Sequence, residues 1–300
     1  MLRRWARSML ARMGVDPRRI PDVRAAEAPP PPERTMAPAW PQPQPQPDFL
    51  NRPVAPGFVD QPDLRPAPAS PGRPLAAPPD AHLYAPLFSP WRGLGDFNEY
   101  LALARGHTLV SPDRCYVLLT LARQALHLRG DFVECGVYKG GTAMILAKLI
   151  AAGRADTRLC LFDTFAGMPA TDPSRDLHQA GDFADTSRAA VESRVLAIPG
   201  VRRDRVELLA GWIPDTFAGA RLAEVAFAHI DVDIHRSVLD CCEHLYPRVV
   251  DGGFMVFDDY GFPTCPGARA AVDEFFRDKP ERPLVLPTGQ AIVFRHRPGR

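Results

Sequence analysis

The stretch GDFVECGVYKGGTA, residues 130–143, decides the fold. A short apolar run, FVECG at 132–136, leads into a glycine-rich turn, and from Gly140 the apolar residues continue to Ala152 at helical density, ending at Gly153. A strand that feeds a helix through glycines is the opening unit of a nucleotide-type α/β sheet, because glycine lets the backbone turn tightly and approach a ligand.

The same alternation repeats downstream. RLCLFD (158–163) reads as a second strand and residues 186–198 as a helix. RVELLAG (205–211) is a third strand, with a short helix after Pro214. VAFAHIDVD (225–233) is a fourth, followed by a helix from His235 to Leu245. GFMVFDDY (253–260) is a fifth, followed by a helix over 266–277, and PLVLP with QAIVFR closes the chain as an antiparallel hairpin. Strands that alternate with helices and are almost continuously apolar form a mostly parallel sheet covered on both faces. Upstream, 96–104 and 113–128 carry helical spacing, the second opened by Ser111-Pro112.

Composition separates this domain from its leader. Of 34 prolines, 20 precede residue 81, and Ala28 to Pro79 contains PPPP and PQPQPQP with few aliphatics. Such a segment buries too little apolar surface to offset its ordering entropy. The expected organisation is a basic amphipathic segment at 1–24, a disordered proline-rich linker at 25–80, and one α/β domain at 81–300. In the first segment Leu2, Trp5, Met9 and Met13 share a helical face opposite Arg3, Arg4 and Arg7, a pattern suited to weak contact with a membrane surface or a partner groove. A net charge of +1 gives no global field for nucleic acid. No apolar run spans a bilayer and no secretory signal is evident. Six cysteines without a CxxC pair read as buried, reduced thiols of a cytoplasmic protein.

Acidic residues mark the C-terminal ends of four strands: Glu134, Asp163, Asp231 and the pair Asp258-Asp259. Ligands of open α/β sheets bind outside those ends, so the carboxylates converge on one crevice. At its first end the pattern is E-x-G-x-x-x-G rather than G-x-G-x-x-G. Glu134 beside the turn repels a pyrophosphate and suits a ligand with a cationic head, which disfavours a dinucleotide oxidoreductase and fits S-adenosylmethionine. Asp163 stands where an acidic side chain takes ribose hydroxyls. The candidate donor-binding set is Glu134, Gly136, Tyr138, Gly140, Gly141, Thr142, Asp163, Thr164, Gly211, Trp212 and Asp231. At the second end, Asp231, Asp233, Asp258 and Asp259 lie close enough across strands to share an ion, and all-oxygen ligation selects Mg²⁺, Mn²⁺ or Ca²⁺ over zinc. Capping of the following helices is the alternative reading of these four, and Asp233 fits it best. His229, His235 and His178 are candidate bases, each with a structural alternative, and Lys139 reads as a solvated loop residue.

These segments together resemble a known family. GDFVECGVYKGGTA, LFDTFAGMP (161–169), HIDVDIHRS (229–237) and LYPRVVDGGFMVFDDYG (245–261) with CPGARAAVDEFF (265–276) are similar, in order, to the macrocin O-methyltransferases, which methylate deoxysugar hydroxyls. The resemblance covers about residues 84 to 296. It implies a Rossmann-like seven-stranded sheet with an antiparallel C-terminal strand and a helical lid from Leu83 to Leu109. It also implies S-adenosylmethionine on the Glu134–Gly141 segment and Asp163, and magnesium on Asp231, Asp258 and Asp259. Asp231 and His235 are the expected catalytic residues. Two positions depart from the family: His235 replaces a common Tyr, and Ala166 replaces an acidic residue. The expected activity is a metal-assisted O-methyl transfer to a sugar-like hydroxyl of a small molecule or glycan, by a chain that can form homo-oligomers. A phenol or catechol acceptor, or a non-catalytic interaction protein, are the alternatives.

Overall fold

A computed structural model describes residues 90–92, 96–153 and 156–296. The amphipathic segment, the proline-rich linker and residues 83–89 and 93–95 of the expected lid lie outside the described residues.

A seven-stranded sheet runs in the order β3-β2-β1-β4-β5-β7-β6. Its strands are β1 (Asp131–Cys135), β2 (Leu159–Asp163), β3 (Val206–Ala210), β4 (Val225–Ile230), β5 (Val249–Phe257), β6 (Leu284–Val285) and β7 (Ala291–Phe294). Strands β1 to β5 pair in parallel, and β7 runs antiparallel to both β5 and β6. The fold is the Rossmann-like, mostly parallel one expected from the alternation of elements.

Helices α1 (Phe97–Ala104), α2 (Pro112–Ala125), α3 (Gly141–Gly153) and α4 (Arg188–Leu196) pack as one group, and α5 (His235–Leu245) with α6 (Pro266–Phe276) as another. Helix α3 is buried on nearly every side, which its run of aliphatic residues requires. Along β1, Val133 and Cys135 join the cluster built on α5 and α6, while Phe132 stacks on Phe227 of β4 at 5.3 Å. Phe132, Phe162 and Phe227 are fully buried, each contributing roughly 2–3 kcal/mol of apolar burial. All six cysteines are free and buried, as their apolar settings predict. Among the described residues no helix is long and apolar enough to cross a membrane.

Two boundaries differ from the sequence reading. Strand β4 stops at Ile230, so Asp231 and Asp233 lie in the turn after it. Strand β5 starts at Val249, before the Asp-Gly-Gly that reads as a breaker. Gly252, at φ +76°, keeps the strand in the sheet there: its N–H donates to Arg295 O at 2.8 Å, and Arg295 N–H returns a bond to Gly253 O at 2.9 Å.

Candidate active site

Strand order reverses between β1 and β4, and a cavity of about 450 Å³ opens at the carboxyl ends of the strands at this switch point. The turn after β1 forms one end of it. Gly136 sits at φ +83°, and a Cβ built there would lie 1.7 Å from Asp231 O. Only glycine lets the β1 turn and the β4 turn touch through their backbones. Asp231 N–H donates to Cys135 O at 2.8 Å across that contact. Asp163 fixes the shape of the turn: Oδ2 accepts from Val137 N–H (2.7 Å) and Tyr138 N–H (2.9 Å), and Oδ1 from Phe165 N–H (2.6 Å). A carboxylate has about four acceptor positions, so Asp163 orders this loop and keeps capacity toward the cavity it lines.

Gly136, Tyr138, Thr142, Asp163, Thr164, Gly211 and Asp231, all expected at the donor end, line the cavity. Glu134, Gly140, Gly141 and Trp212 do not. Glu134 is fully buried, with Oε1 2.8 Å from His229 Nδ1 and Oε2 without a hydrogen-bond partner. The β1–β4 register aligns Glu134 with His229 and turns the carboxylate into this pair. Gly140 and Gly141 serve packing: a Cβ at Gly140 would press on Val191 of α4, and one at Gly141 would lie 2.6 Å from Thr108 Cβ. Gly141 N–H also donates to His107 O at 2.8 Å, so these glycines seat neighbouring segments. Trp212 is 60% exposed.

The opposite end is acidic. Asp231, Asp233 and Asp259 line the cavity, and one carboxylate oxygen of each lies within 4.8 Å of the others. Asp233, of the four the one that best fits a cap, does not cap the helix. The N-cap of α5 is Ile234, without a side-chain cap, and Asp176 of the β2–α4 loop accepts from His235 N–H at 2.8 Å. Asp233 takes the left-handed conformation (φ +57°) and turns Oδ1 toward Cys265 Sγ (3.4 Å) and His178 Nε2 (3.7 Å). Asp258 lies behind the cavity lining. Its Oδ1 accepts from Gln290 Nε2 at 2.8 Å, its Oδ2 accepts from Arg114 Nη1, and His229 Nε2 stands 3.6 Å from Oδ1.

His235, expected as catalytic, is placed elsewhere. It faces Arg175 Nη1 at 2.5 Å and Glu274 Oε2 at 3.1 Å, in an ion cluster outside the cavity lining. The first turn of α5 directs it to α6 and the β2–α4 loop. Lys139 pairs with Asp185 at 2.5 Å, as a loop lysine does.

Residues 104–295 match the macrocin-O-methyltransferase (TylF) family. This chain belongs to that family. Its relatives include the 8-demethyl-8-(2,3-dimethoxy-alpha-L-rhamnosyl)-tetracenomycin-C 4'-O-methyltransferase of Streptomyces olivaceus, 33% identical over 180 residues, or 56% of this chain and 66% of that protein. The mycinamicin III 3''-O-methyltransferase of Micromonospora griseorubida is 32% identical over 185 residues, 58% of this chain and 71% of that protein. The chain thus spans about two thirds of the length of the curated relatives it matches. Among solved structures, the O-methyltransferase NovP superposes with a TM-score of 0.59 at 25% identity, over 66% of this chain and 88% of that one. The calicheamicin methyltransferase CalS11 shares the fold, with a TM-score of 0.52.

Within this macrocin-type site the charges are unevenly met. Burial and the Asp258 carboxylate push Asp231 well above the usual carboxylate range. Burial and the neighbouring carboxylates Asp233, Asp231 and Asp258 do the same to Asp259, and burial raises Asp233. Burial would raise Asp258 too, but Arg114 and His229 outweigh it and hold Asp258 low. Burial disfavours a charged His229, yet Asp258 and Glu134 prevail and push it up to about 10. Two cations therefore face five carboxylates. Arg114 and Gln290 are the residues that sequence reasoning missed. They lie 144 and 32 positions from Asp258, and no local pattern marks either.

Proposed function

We propose that this chain is an S-adenosylmethionine-dependent O-methyltransferase that acts on a sugar hydroxyl of a small molecule, assisted by a divalent cation. The carrying observation is the single 450 Å³ cavity that joins the Gly136–Asp163 turn to the Asp231, Asp233 and Asp259 carboxylates. Its volume falls in the range of small-molecule sites. The rhamnosyl group in the name of the tetracenomycin-modifying relative supports the acceptor class.

The donor set fits a hard cation. Three carboxylates offer oxygens within 4.8 Å of one another, burial raises all three, and oxygen ligands suit Mg²⁺ or Mn²⁺. Asp231 and Asp259 would hold the ion from the cavity, and Asp258 from behind it. Such an ion, when bound, supplies a Lewis acid that lowers the pKa of an acceptor hydroxyl.

The chain's own residues do the rest. Val137, Tyr138 and Asp163 shape the donor end, with Thr142, Thr164 and Gly211 around it. Asp231, which lines the cavity, is the carboxylate proposed to accept the hydroxyl proton. Leu109, Val110, Phe183 and Phe262 line the cavity and give it apolar walls, against which a bound donor and an acceptor hydroxyl would be positioned. His235 acts from outside this constellation.

The test is calorimetric titration of the full chain with S-adenosylmethionine, then a methyl-transfer screen of glycosides against phenols and catechols. Donor binding with transfer to glycosides is the expected result. Transfer confined to phenols overturns the acceptor class, and absence of donor binding overturns the enzymatic reading in favour of an interaction role.

A further inference from the structure

The carboxylates at the acidic end are not equally available. Both oxygens of Asp258 are in use, Oδ2 by Arg114 Nη1 and Oδ1 by Gln290 Nε2 at 2.8 Å. Among the described residues the clustered ligand atoms form Asp231 with Asp233 and Asp259, or His229 with Asp231 and Asp258. Neither set unites Asp258 with Asp259. An ion that binds Asp258 Oδ2 displaces Arg114, because a guanidinium and a dication repel each other too strongly to share one oxygen, a conflict that Oδ1, bonded to the neutral Gln290 amide, does not have.

Arg114 is built to give that oxygen up. Its Nε donates to Ser111 Oγ at 3.1 Å, its Nη2 donates to Leu109 O at 3.0 Å, and its guanidinium carbon lies 4.6 Å from the centroid of the Phe262 ring. These contacts leave the guanidinium with other partners once Asp258 Oδ2 is taken by an ion. The same contacts anchor Leu109, which lines the cavity.

We propose that Arg114 is the resident counter-ion of Asp258 and exchanges with the divalent cation, so that metal loading is a swap of cations on one buried carboxylate. The swap is transmitted to the Leu109–Ser111 wall, because Arg114 holds that wall and Asp258 together. It rests on the metal reading given above.

The experiment measures Mn²⁺ affinity of the full chain by the electron paramagnetic resonance of the free ion, for wild type and Arg114→Gln. Removal of the competing charge makes Arg114→Gln bind Mn²⁺ about tenfold tighter or more, although its metal-free form melts lower. Equal or weaker Mn²⁺ binding by the folded variant overturns the exchange. No Mn²⁺ binding by either protein overturns the metal reading itself. Should Arg114→Gln fail to fold, the Arg114 Nε–H resonance of wild type decides: a shift on addition of Mg²⁺ supports the swap, and an unchanged signal in Mg²⁺-bound protein overturns it.

Discussion

Replacing Gly136 by alanine puts a methyl group into the backbone of the neighbouring turn. The new Cβ would sit 1.7 Å from Asp231 O, 2.6 Å from Asp231 C and 3.2 Å from Val232 Cγ1. Asp231 O would have to retreat by about 1.3 Å to reach the 3.0 Å that Cβ atoms essentially never breach, which strains the 2.8 Å bond from Asp231 N–H to Cys135 O. Three costs add. The left-handed φ costs an L-residue about 1–2 kcal/mol, overpacking costs about 1–3 kcal/mol, and a weakened buried hydrogen bond costs about 1 kcal/mol. Gly106 provides a matched control: it has φ +75° but nothing within 4 Å of its built Cβ. Gly106→Ala therefore carries only the first cost. The difference of about 2–4 kcal/mol lowers the melting temperature of Gly136→Ala by roughly 4–16 °C relative to Gly106→Ala. Scanning calorimetry reads this, and titration with S-adenosylmethionine should show donor binding lost in Gly136→Ala and kept in Gly106→Ala. Equal melting temperatures for the two variants would refute the backbone contact on which the site is built.

Chelation should abolish methyl transfer, and Mg²⁺ or Mn²⁺ should restore it; full turnover in chelator removes the ion from the mechanism. Asp258→Ala should lose activity and about 3–5 kcal/mol of stability in urea titrations, because Arg114 is left buried without its partner. His235→Ala should leave donor affinity unchanged in calorimetry, whereas Asp231→Asn should lose turnover; a donor affinity that falls in His235→Ala would place that ring at the site after all. For Glu281, burial acts to raise the pKa, but Tyr246 Oη–H, His296 N–H and Arg295 hold it down at about 2. A depressed carboxylate stabilises above its unfolded pKa and loses that contribution as pH falls through the folded value. Unfolding midpoints of wild type should therefore fall between the ordinary glutamate range and about pH 2 more steeply than those of Glu281→Gln. Parallel curves would contradict the assignment.

The sheet was legible because the apolar period changes at each glycine, and the helix from His235 to Leu245 is found where its spacing puts it. Strand β5 was read short because Asp251-Gly252-Gly253 has the composition of a turn, and only pairing with Arg295 reveals it as strand. At the site, Asp163, Asp231 and Asp259 could be placed because each follows an apolar run that ends at the crevice. Glu134 could not, since its partner depends on the register that sets it beside His229. Asp233 was misjudged for a related reason. A carboxylate before a helix normally caps it, but here Asp176, from a loop 59 residues away in sequence, already satisfies His235 N–H.

That loop has a further consequence. Connections between strand and helix usually run about 2–6 residues, and longer ones are where proteases cut and flaps open. The β2–α4 loop is far longer, yet it is laced to itself by Met168 N–H to Asp182 O (2.7 Å) and Gly181 N–H to Met168 O (2.9 Å). Asp176 stakes its far side to the start of α5, and Gly267 on α6 has room for no side chain against it, since a Cβ would lie 2.0 Å from Asp176 Oδ1. So this wall behaves as a rigid aperture rather than a flap. On the proposed methyl-transfer reading, acceptors would be sorted by the fixed outline of the opening, and retargeting the chain to a bulkier acceptor would call for recutting that outline, not for loosening a hinge.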